Sequence, residues 1–330
     1  LFAIMSAACH SSDGSGRVMP LGLAGDGTNL YVADSDGAVA RILRRAPDGT
    51  ETVLASEPGE KLYAAIATDG ASVFYSFGDN DSVPRDIRRV PTSGGAPATI
   101  ASAETTGFAV DDAFVFWSAR DPASVSAFAG GIWRVAKSGG APEQLAGFPN
   151  ELPHGLVLHG DDVFFATYAA ASNGEDLGSV IYRISKSGGV PATLSTDKGI
   201  HPVALAVTDD SVWWLDSGFT GTPSAAQCNP CGASLVKMPI AGGVATPVFD
   251  RGVHDPRALA VDEGDVWALS ANVSGAELIS SNGTLVRARA NGVTETAASG
   301  IGFPVGVAFD ATSAWVLAGN DGWTVTRIAK

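Results

Sequence analysis

One pattern of apolar and polar positions occurs seven times along the chain. Each copy has a small residue in an apolar run, then a polar turn, then a second apolar run with an aromatic residue nine positions after the small one. Two apolar runs joined by a polar turn predict a β-hairpin. The small residues are Gly22, Ala65, Gly107, Gly155, Ala204, Ala258 and Gly306, and the aromatic residues are Tyr31, Phe74, Phe116, Phe164, Trp213, Trp267 and Trp315.

The spacing of the copies predicts the architecture. Successive copies begin 43, 42, 48, 49, 54 and 48 residues apart, which is the period of a propeller blade. Small residues suit an innermost strand, where seven strands crowd around a channel, and large rings fill the wedge between blades. We therefore predict an all-β fold, a seven-bladed β-propeller with four-stranded blades, as a single domain over residues 17–330.

A third apolar segment in each copy carries one basic residue, and Gly-rich turns then lead to a polar outer strand. A strand with apolar residues on both faces is sandwiched between neighbouring blades. We expect the basic stems to cover apolar surface and the charged heads to meet acids at the blade edge, for which the column of Asp residues at the hairpin turns is a candidate. The basic residues are Arg41, Arg89, Arg134, Arg183, Lys237, Arg287 and Arg327.

The seventh copy contains only three strand segments, which leaves an open edge on its sheet. The spare segment is N-terminal. We predict that residues within 8–19 pair with residues 324–328 as the missing fourth strand.

Composition and charge limit the partners. Hydrophobic residues make up 45% of the chain and charged residues 17%, with a net charge of −14 and a pI near 4.6. An acidic surface repels phosphate backbones and anionic lipid, so we expect no nucleic-acid partner. We expect a monomer.

The first residues resemble an export signal. Residues 1–9, Leu-Phe-Ala-Ile-Met-Ser-Ala-Ala-Cys, look like the end of a secretory apolar region, followed by a polar tether to residue 16. The pattern resembles a bacterial lipoprotein signal with Cys9 as the lipidated residue. Ordinary signal cleavage after Ala8 and a structural N-terminal segment are the alternatives. We expect a periplasmic, outer-membrane or cell-surface lipoprotein, or else a secreted protein, with membrane contact only through the anchor.

The remaining cysteines, Cys228 and Cys231, lie in Cys-Asn-Pro-Cys. In an oxidising compartment such a pair is expected to form a disulfide. A thiol redox site calls for a βαβ context, which the sequence lacks, and a zinc knuckle calls for a second pair of ligands, which is not nearby in sequence.

Three of the five histidines lie beside the Pro that precedes an inner strand, in three consecutive copies: His154, His201 and His254. Glu151 and Asp255 accompany two of them. Propeller geometry brings these positions to one mouth of the channel, beneath the long loops of blades 3–6. The group is a candidate site for a divalent metal or for acid–base chemistry, and polar lining of a wet channel is the alternative.

The repeat Pro-x-Gly-Leu-Ala-x-Asp, followed by Val-Trp-Trp, Ile-x-Arg-Val and Gly-Gly, resembles the YWTD and NHL classes of propeller repeat and the repeats of streptogramin lyases. The resemblance covers residues 17–330 and implies the fold, while activity has to be argued from a site. The sequence favours a non-catalytic propeller that binds a protein, peptide or glycan on the long-loop face. A metal-assisted lyase or hydrolase using the histidines is the alternative.

Overall fold

The computed structural model describes residues 4–5, 18–59, 61, 63–78, 84–121, 124, 128–170, 176–195, 200–216, 233–253, 255–271, 282–319 and 322–330. These residues form β-strands and turns, and no helix occurs among them. Within the same residues, no helix is long and apolar enough to span a bilayer.

The strands form seven antiparallel sheets, each built from strands that follow one another along the chain. In the first four blades the strands are β2 (Met19–Gly25), β3 (Leu30–Ser35), β4 (Val39–Arg45), β5 (Glu51–Pro58), β6 (Tyr63–Thr68), β7 (Ser72–Gly78), β8 (Pro84–Pro91), β9 (Ala98–Ala101), β10 (Thr105–Val110), β11 (Phe114–Arg120), β12 (Gly130–Ala136), β13 (Glu143–Phe148), β14 (Leu152–His159), β15 (Asp162–Ala170), β16 (Asp176–Ser185) and β17 (Ala192–Ser195).

The last three blades follow the same order. Their strands are β18 (Pro202–Val207), β19 (Ser211–Asp216), β20 (Ala233–Pro239), β21 (Thr246–Val253), β22 (Pro256–Asp262), β23 (Asp265–Ser270), β24 (Gly283–Ala288), β25 (Thr294–Ile301), β26 (Pro304–Phe309), β27 (Ser313–Ala318) and β28 (Thr324–Ala329). The predicted seven-bladed propeller is confirmed.

The innermost strands contact one another in sequence around the ring, and β26 of blade 7 contacts β2 of blade 1. An apolar cluster lies between each pair of neighbouring blades. The aromatic residues predicted to fill these wedges are fully buried in six blades, and Trp315 in blade 7 is partly buried. The core is therefore a ring of blade interfaces around the channel.

Blade 7 has three strands among the described residues. Within the N-terminal segment predicted to close it, Met19 instead pairs with Ser35 in blade 1, and residues 8–17 lie outside the described residues. A short strand nearer the N-terminus, β1 (Ile4–Met5), pairs with Leu259 and Ala258 of the inner strand β22.

The register corrects one member of the basic column. The aromatic residue Phe74 pairs with Arg89, and Trp213 pairs with Lys237. In blade 1 the equivalent Tyr31 pairs with Arg44, so Arg44 and not Arg41 belongs to the column. Arg41 lies opposite Asp34, where the two side chains form a bidentate ion pair with contacts of 2.8 and 3.0 Å.

The heads of the column residues agree with the prediction only in part, since Arg287 pairs with Asp265 at 2.6 Å and Arg183 lies 3.7 Å from Asp162. Three of them donate to a backbone carbonyl of the next blade: Arg44 to Thr92 at 2.9 Å, Arg89 to Lys137 at 2.9 Å, and Arg134 to Lys186 at 2.6 Å. The turn acids instead receive lysines that follow the third strand of the neighbouring blade, as in the 2.5 Å contact of Lys137 Nζ with Asp69 Oδ2.

Candidate active site at the loop-bearing face

One face of the ring collects buried polar side chains. The starts of the inner strands and the ends of the second strands meet there, since neighbouring strands of a blade are antiparallel. In four blades, the Pro that opens the inner strand pairs with a buried polar residue. These residues are Asp34, Thr167, Asp216 and Ser270, each at most 7% exposed.

This polar column was not predicted from the sequence. Its members can be recognised in the sequence by their position, because each one lies three residues after the aromatic residue of its repeat. Buried carboxylates are uncommon unless they are paired or hydrogen-bonded. Asp34 and Asp216 occupy the same repeat position in blades 1 and 5. At both positions the fold therefore buries a carboxylate where an apolar side chain would be expected.

Asp216 is held by two donors of its own blade. The indole Nε1 of Trp214 donates to Asp216 Oδ2 at 3.2 Å, and the backbone N–H of His201 donates to the same oxygen at 3.1 Å. His201 is buried. The predicted site residue His201 therefore lies at the loop-bearing face, with its backbone anchored to a buried acid.

A second acid, Glu151, sits just before β14 in blade 4 and combines with two hydroxyl groups. The Thr167 hydroxyl donates to Glu151 Oε2 at 2.6 Å, and the Tyr182 hydroxyl lies 3.4 Å from Glu151 Oε1. Burial, together with the charge and hydrogen bonding of Glu151, raises the pKa of Tyr182 to about 12. The phenol therefore keeps its proton at neutral pH and points it toward Glu151.

Aromatic rings surround this pair of groups. Tyr182 stacks on Phe165, with ring centroids 5.6 Å apart, and it contacts Phe148 of blade 3 at 5.3 Å. Phe128, in the long loop of blade 3, contacts Tyr168 of blade 4 at 5.6 Å. Glu151 and Tyr182 thus lie where blades 3 and 4 meet, beside a long loop and within an apolar frame that fixes the phenol.

His154, on β14, lies at the same end of blade 4. Part of its side chain contacts solvent, but protein surrounds the ring closely, and this desolvation lowers the pKa of His154 to about 4. The imidazole is therefore neutral at physiological pH. A neutral imidazole can accept or donate one hydrogen bond but contributes no positive charge to the mouth.

The remaining member of the predicted trio, His254, lies outside the described residues. Its neighbour Asp255 has a left-handed backbone, with φ of 54°, and forms an ion pair with Arg257. Among the residues that the structure describes, no group of three or more His, Cys, Asp or Glu side chains could hold a metal ion. The predicted three-histidine centre is thus not assembled from the described residues.

The cysteines of the predicted disulfide and of the predicted lipid anchor lie outside the described residues. Cys228 and Cys231 fall in the stretch 217–232, and Cys9 falls in 6–17, all outside the described residues. The disulfide and the lipidation of Cys9 remain predictions.

Comparison with known proteins defines the class of fold. No family model and no curated protein matches the sequence. Among solved structures, the chain is similar to the tricorn protease, with 11% identity and a TM-score of 0.64 over 99% of this chain and 34% of that one. It is also similar to the β-propeller domain of the Trilobed protease from Pyrococcus furiosus, with 11% identity and a TM-score of 0.64 over 94% of this chain and 93% of that one.

A further neighbour is an oligogalacturonate lyase from Vibrio parahaemolyticus. It shows 10% identity and a TM-score of 0.61 over 100% of this chain and 97% of the lyase. At such identities the likeness shows a shared propeller fold. The chain spans about a third of the tricorn protease and about half of an acylaminoacyl peptidase.

These comparisons overturn one expectation. The sequence favoured a non-catalytic binding propeller, but the structural neighbours are mainly peptidases, with a lyase among them. The expectation was wrong because it relied on the absence of a familiar catalytic motif, whereas a propeller can assemble a site from residues far apart in sequence.

Proposed function

We propose that the chain is a catalytic propeller of the lyase class, with Glu151 as the general base and Tyr182 as the proton donor. The observation that carries the proposal is the contact of the two groups, 3.4 Å apart, with Glu151 oriented by the 2.6 Å bond from Thr167. A base, its orienting partner and an acid within reach are the elements of general acid–base catalysis.

The proposed step is an elimination. Glu151 takes a proton from a carbon next to a carbonyl group, a carbon–carbon double bond forms, and the carbon–oxygen bond to the leaving group breaks. Tyr182 gives its proton to the departing oxygen. Glu151 then returns the proton it took to the phenolate beside it, so both groups regain their starting state without an added co-reactant.

Two further observations support a lyase. One of the structural neighbours is an oligogalacturonate lyase, with a TM-score of 0.61. The repeats also resemble those of streptogramin lyases. We propose that the repeats belong to the streptogramin-lyase class or to the YWTD or NHL class of propeller repeat.

The net charge of the protein limits the class of substrate that it can bind. With a net charge of −14, the surface repels a polyanion. We therefore propose a neutral or cationic substrate, joined through an ester or glycosidic oxygen, and not a polyuronate chain.

The test uses a panel of neutral, cationic and anionic ester- and glycoside-linked substrates, with the new double bond detected by absorbance and mass spectrometry. Glu151→Gln keeps an oxygen for Thr167 to donate to and removes the base, so kcat should fall by about 10²–10⁴-fold with KM little changed. Asp69→Asn, an acid at the opposite face, is the matched control. Products of hydrolysis without a double bond, or full activity in Glu151→Gln, would overturn the proposal.

A further inference from the structure

Thr106 joins blade 3 to blade 4 beside the candidate site. The pairing of β10 with β11 shifts register between Thr105 and Gly107, so Thr106 lies at a bulge. A bulge changes the direction of a side chain and is frequent next to active sites. Here the Thr106 hydroxyl lies 2.8 Å from Ser118 Oγ and donates to the backbone carbonyl of Pro153, in blade 4, at 2.7 Å.

The propeller repeat does not require a hydroxyl at this position. Thr106 directly precedes the small residue of its repeat, and no other repeat has a hydroxyl-bearing residue there. The corresponding residues are Leu21, Ala64, His154, Val203, Arg257 and Val305. Thr106 therefore distinguishes the junction of blades 3 and 4, where Glu151 and Tyr182 lie, from the other six junctions.

The carbonyl that Thr106 binds belongs to the strand start that carries Glu151. Glu151 lies two residues before Pro153. Pro153 pairs with Thr167, and the Thr167 hydroxyl donates to Glu151 at 2.6 Å. Holding Pro153 in place therefore holds both the backbone next to the carboxylate and the residue that orients it.

Gly130, at the start of β12, contacts the same proline at its ring. A Cβ atom on residue 130 would lie 2.6 Å from Pro153 Cδ and 2.7 Å from the Ala119 carbonyl oxygen. Both distances are too short for a real side chain, so blade 3 fits against Pro153 because residue 130 is a glycine. Blade 3 thus holds Pro153 at its ring as well as at its carbonyl.

Tyr182 is also held against blade 3. Its ring centre lies 5.3 Å from that of Phe148, and both rings pack on one apolar cluster. The contact of the Tyr182 hydroxyl with Glu151 is 3.4 Å, which is longer than the ~2.5–2.7 Å of a strong hydroxyl–carboxylate bond. A displacement of Pro153 by about 0.3 Å therefore decides whether the two groups stay within hydrogen-bond reach.

We propose that Thr106 is a positioning residue, which acts through Pro153 and sets the distance between Glu151 and Tyr182. The Thr106 hydroxyl bonds to Pro153 and Ser118, so its effect on the pair is indirect. The catalytic consequence rests on the elimination proposed above, whereas the effect on the geometry of the pair does not.

The experiment labels the five tyrosines of the full chain with ¹³C at Cζ and follows the Tyr182 resonance, which Tyr182→Phe assigns. In the parent, a pKa of about 12 leaves about one tenth of this phenol ionised at pH 11. Thr106→Val removes the donor and places a methyl group against the Pro153 carbonyl, so Glu151 should move away from the phenol. The ionised fraction should then rise at least about threefold, toward its value in Glu151→Gln. Thr106→Ser should retain the parent value.

Thr106→Ala, which removes the hydroxyl without adding bulk, is the second variant, and circular dichroism at pH 11 checks that each protein is folded. Thr92→Val is the matched control, because the Thr92 hydroxyl also donates to a backbone carbonyl, that of Ala71 at 3.1 Å, at the opposite face of the ring. Unchanged ionisation of Tyr182 in both Thr106 variants, or an equal change in Thr92→Val, would overturn the proposal.

Kinetics distinguish this proposal from the proposed function. With a substrate that the parent converts to an unsaturated product, Thr106→Val should lower kcat by roughly tenfold with KM little changed, because a small displacement of a catalytic group slows the reaction. An unaltered kcat in a variant whose Tyr182 ionisation has changed would overturn the catalytic consequence. If the parent forms no unsaturated product from any substrate of the panel, the proposed function fails, while a changed ionisation of Tyr182 still supports the positioning role of Thr106.

Discussion

The indole Nε1 of Trp323 donates to Asp34 Oδ2 at 3.0 Å, linking blade 7 to blade 1 across 289 positions of the chain. Asp34 is 1% exposed and also accepts both contacts from Arg41. Since blade 7 has no fourth strand among the described residues, this bond contributes to joining blade 7 to blade 1 and so to closing the ring.

Ring closure should therefore depend on Asp34. Asp34→Asn removes the charge that Arg41 binds and should lower the free energy of unfolding by about 2 kcal/mol. Trp323→Phe should lower it by about 1 kcal/mol. Urea denaturation gives both values, and the exposed turn variant Asp48→Asn serves as the control. Equal stability of Asp34→Asn and the parent would contradict the role assigned to the bond.

A change in His154 should alter the pH dependence of stability. Because burial lowers the pKa of His154 from 6.5 to about 4, the unfolded chain binds a proton there before the folded protein does. Stability should consequently fall as the pH drops from 6.5 to 4, by up to about 3 kcal/mol from this group. In His154→Gln that part of the slope should vanish, whereas it should persist in the control His159→Gln.

The indole of Trp267 offers a comparison between two blades. Trp213 donates to the Thr208 hydroxyl at 3.3 Å. In blade 6, Asp262 at the matching turn position is bound instead by Lys330 at 2.5 Å, and the buried Trp267 Nε1 has no partner among the described residues. Trp267→Phe should therefore destabilise the protein by about 1 kcal/mol less than Trp213→Phe. Equal losses in thermal unfolding would show that the Trp213 bond contributes nothing.

The basic column should require arginine where it joins two blades. Arg134 donates to the Lys186 carbonyl, pairs with Glu143 and lies 4.7 Å from the centre of the Phe114 ring. Lysine cannot make these contacts at once, so Arg134→Lys should cost about 1 kcal/mol of stability. Arg289→Lys, at a 46% exposed side chain, should cost much less. A calorimetric comparison of the two variants checks this difference.

The fold could be predicted from the sequence because the repeat keeps its aromatic residue and its hairpin spacing in every copy. The basic column in blade 1 was assigned wrongly because the segment between second and third strands varies in length, and Arg41, Arg44 and Arg45 lie close together. Only the register distinguishes them.

The candidate site was harder to predict for a related reason. Glu151 was selected as a companion of histidines, whereas its partners are Thr167 and Tyr182. No local motif links residues 16 and 31 positions apart. Their proximity arises from the pairing of β14, β15 and β16, which composition and spacing do not specify.

The contacts of Arg44, Arg89 and Arg134 with the next blade have a consequence for how such a chain can diverge. Each arginine donates a hydrogen bond to a main-chain oxygen. The residue that supplies this oxygen is Thr92 in one case and a lysine in the other two. Every amino acid carries that oxygen, so substitution of the accepting residue leaves the acceptor in place. Adjacent repeats can then change sequence independently, without coordinated mutations across the boundary, while the arginine continues to join them.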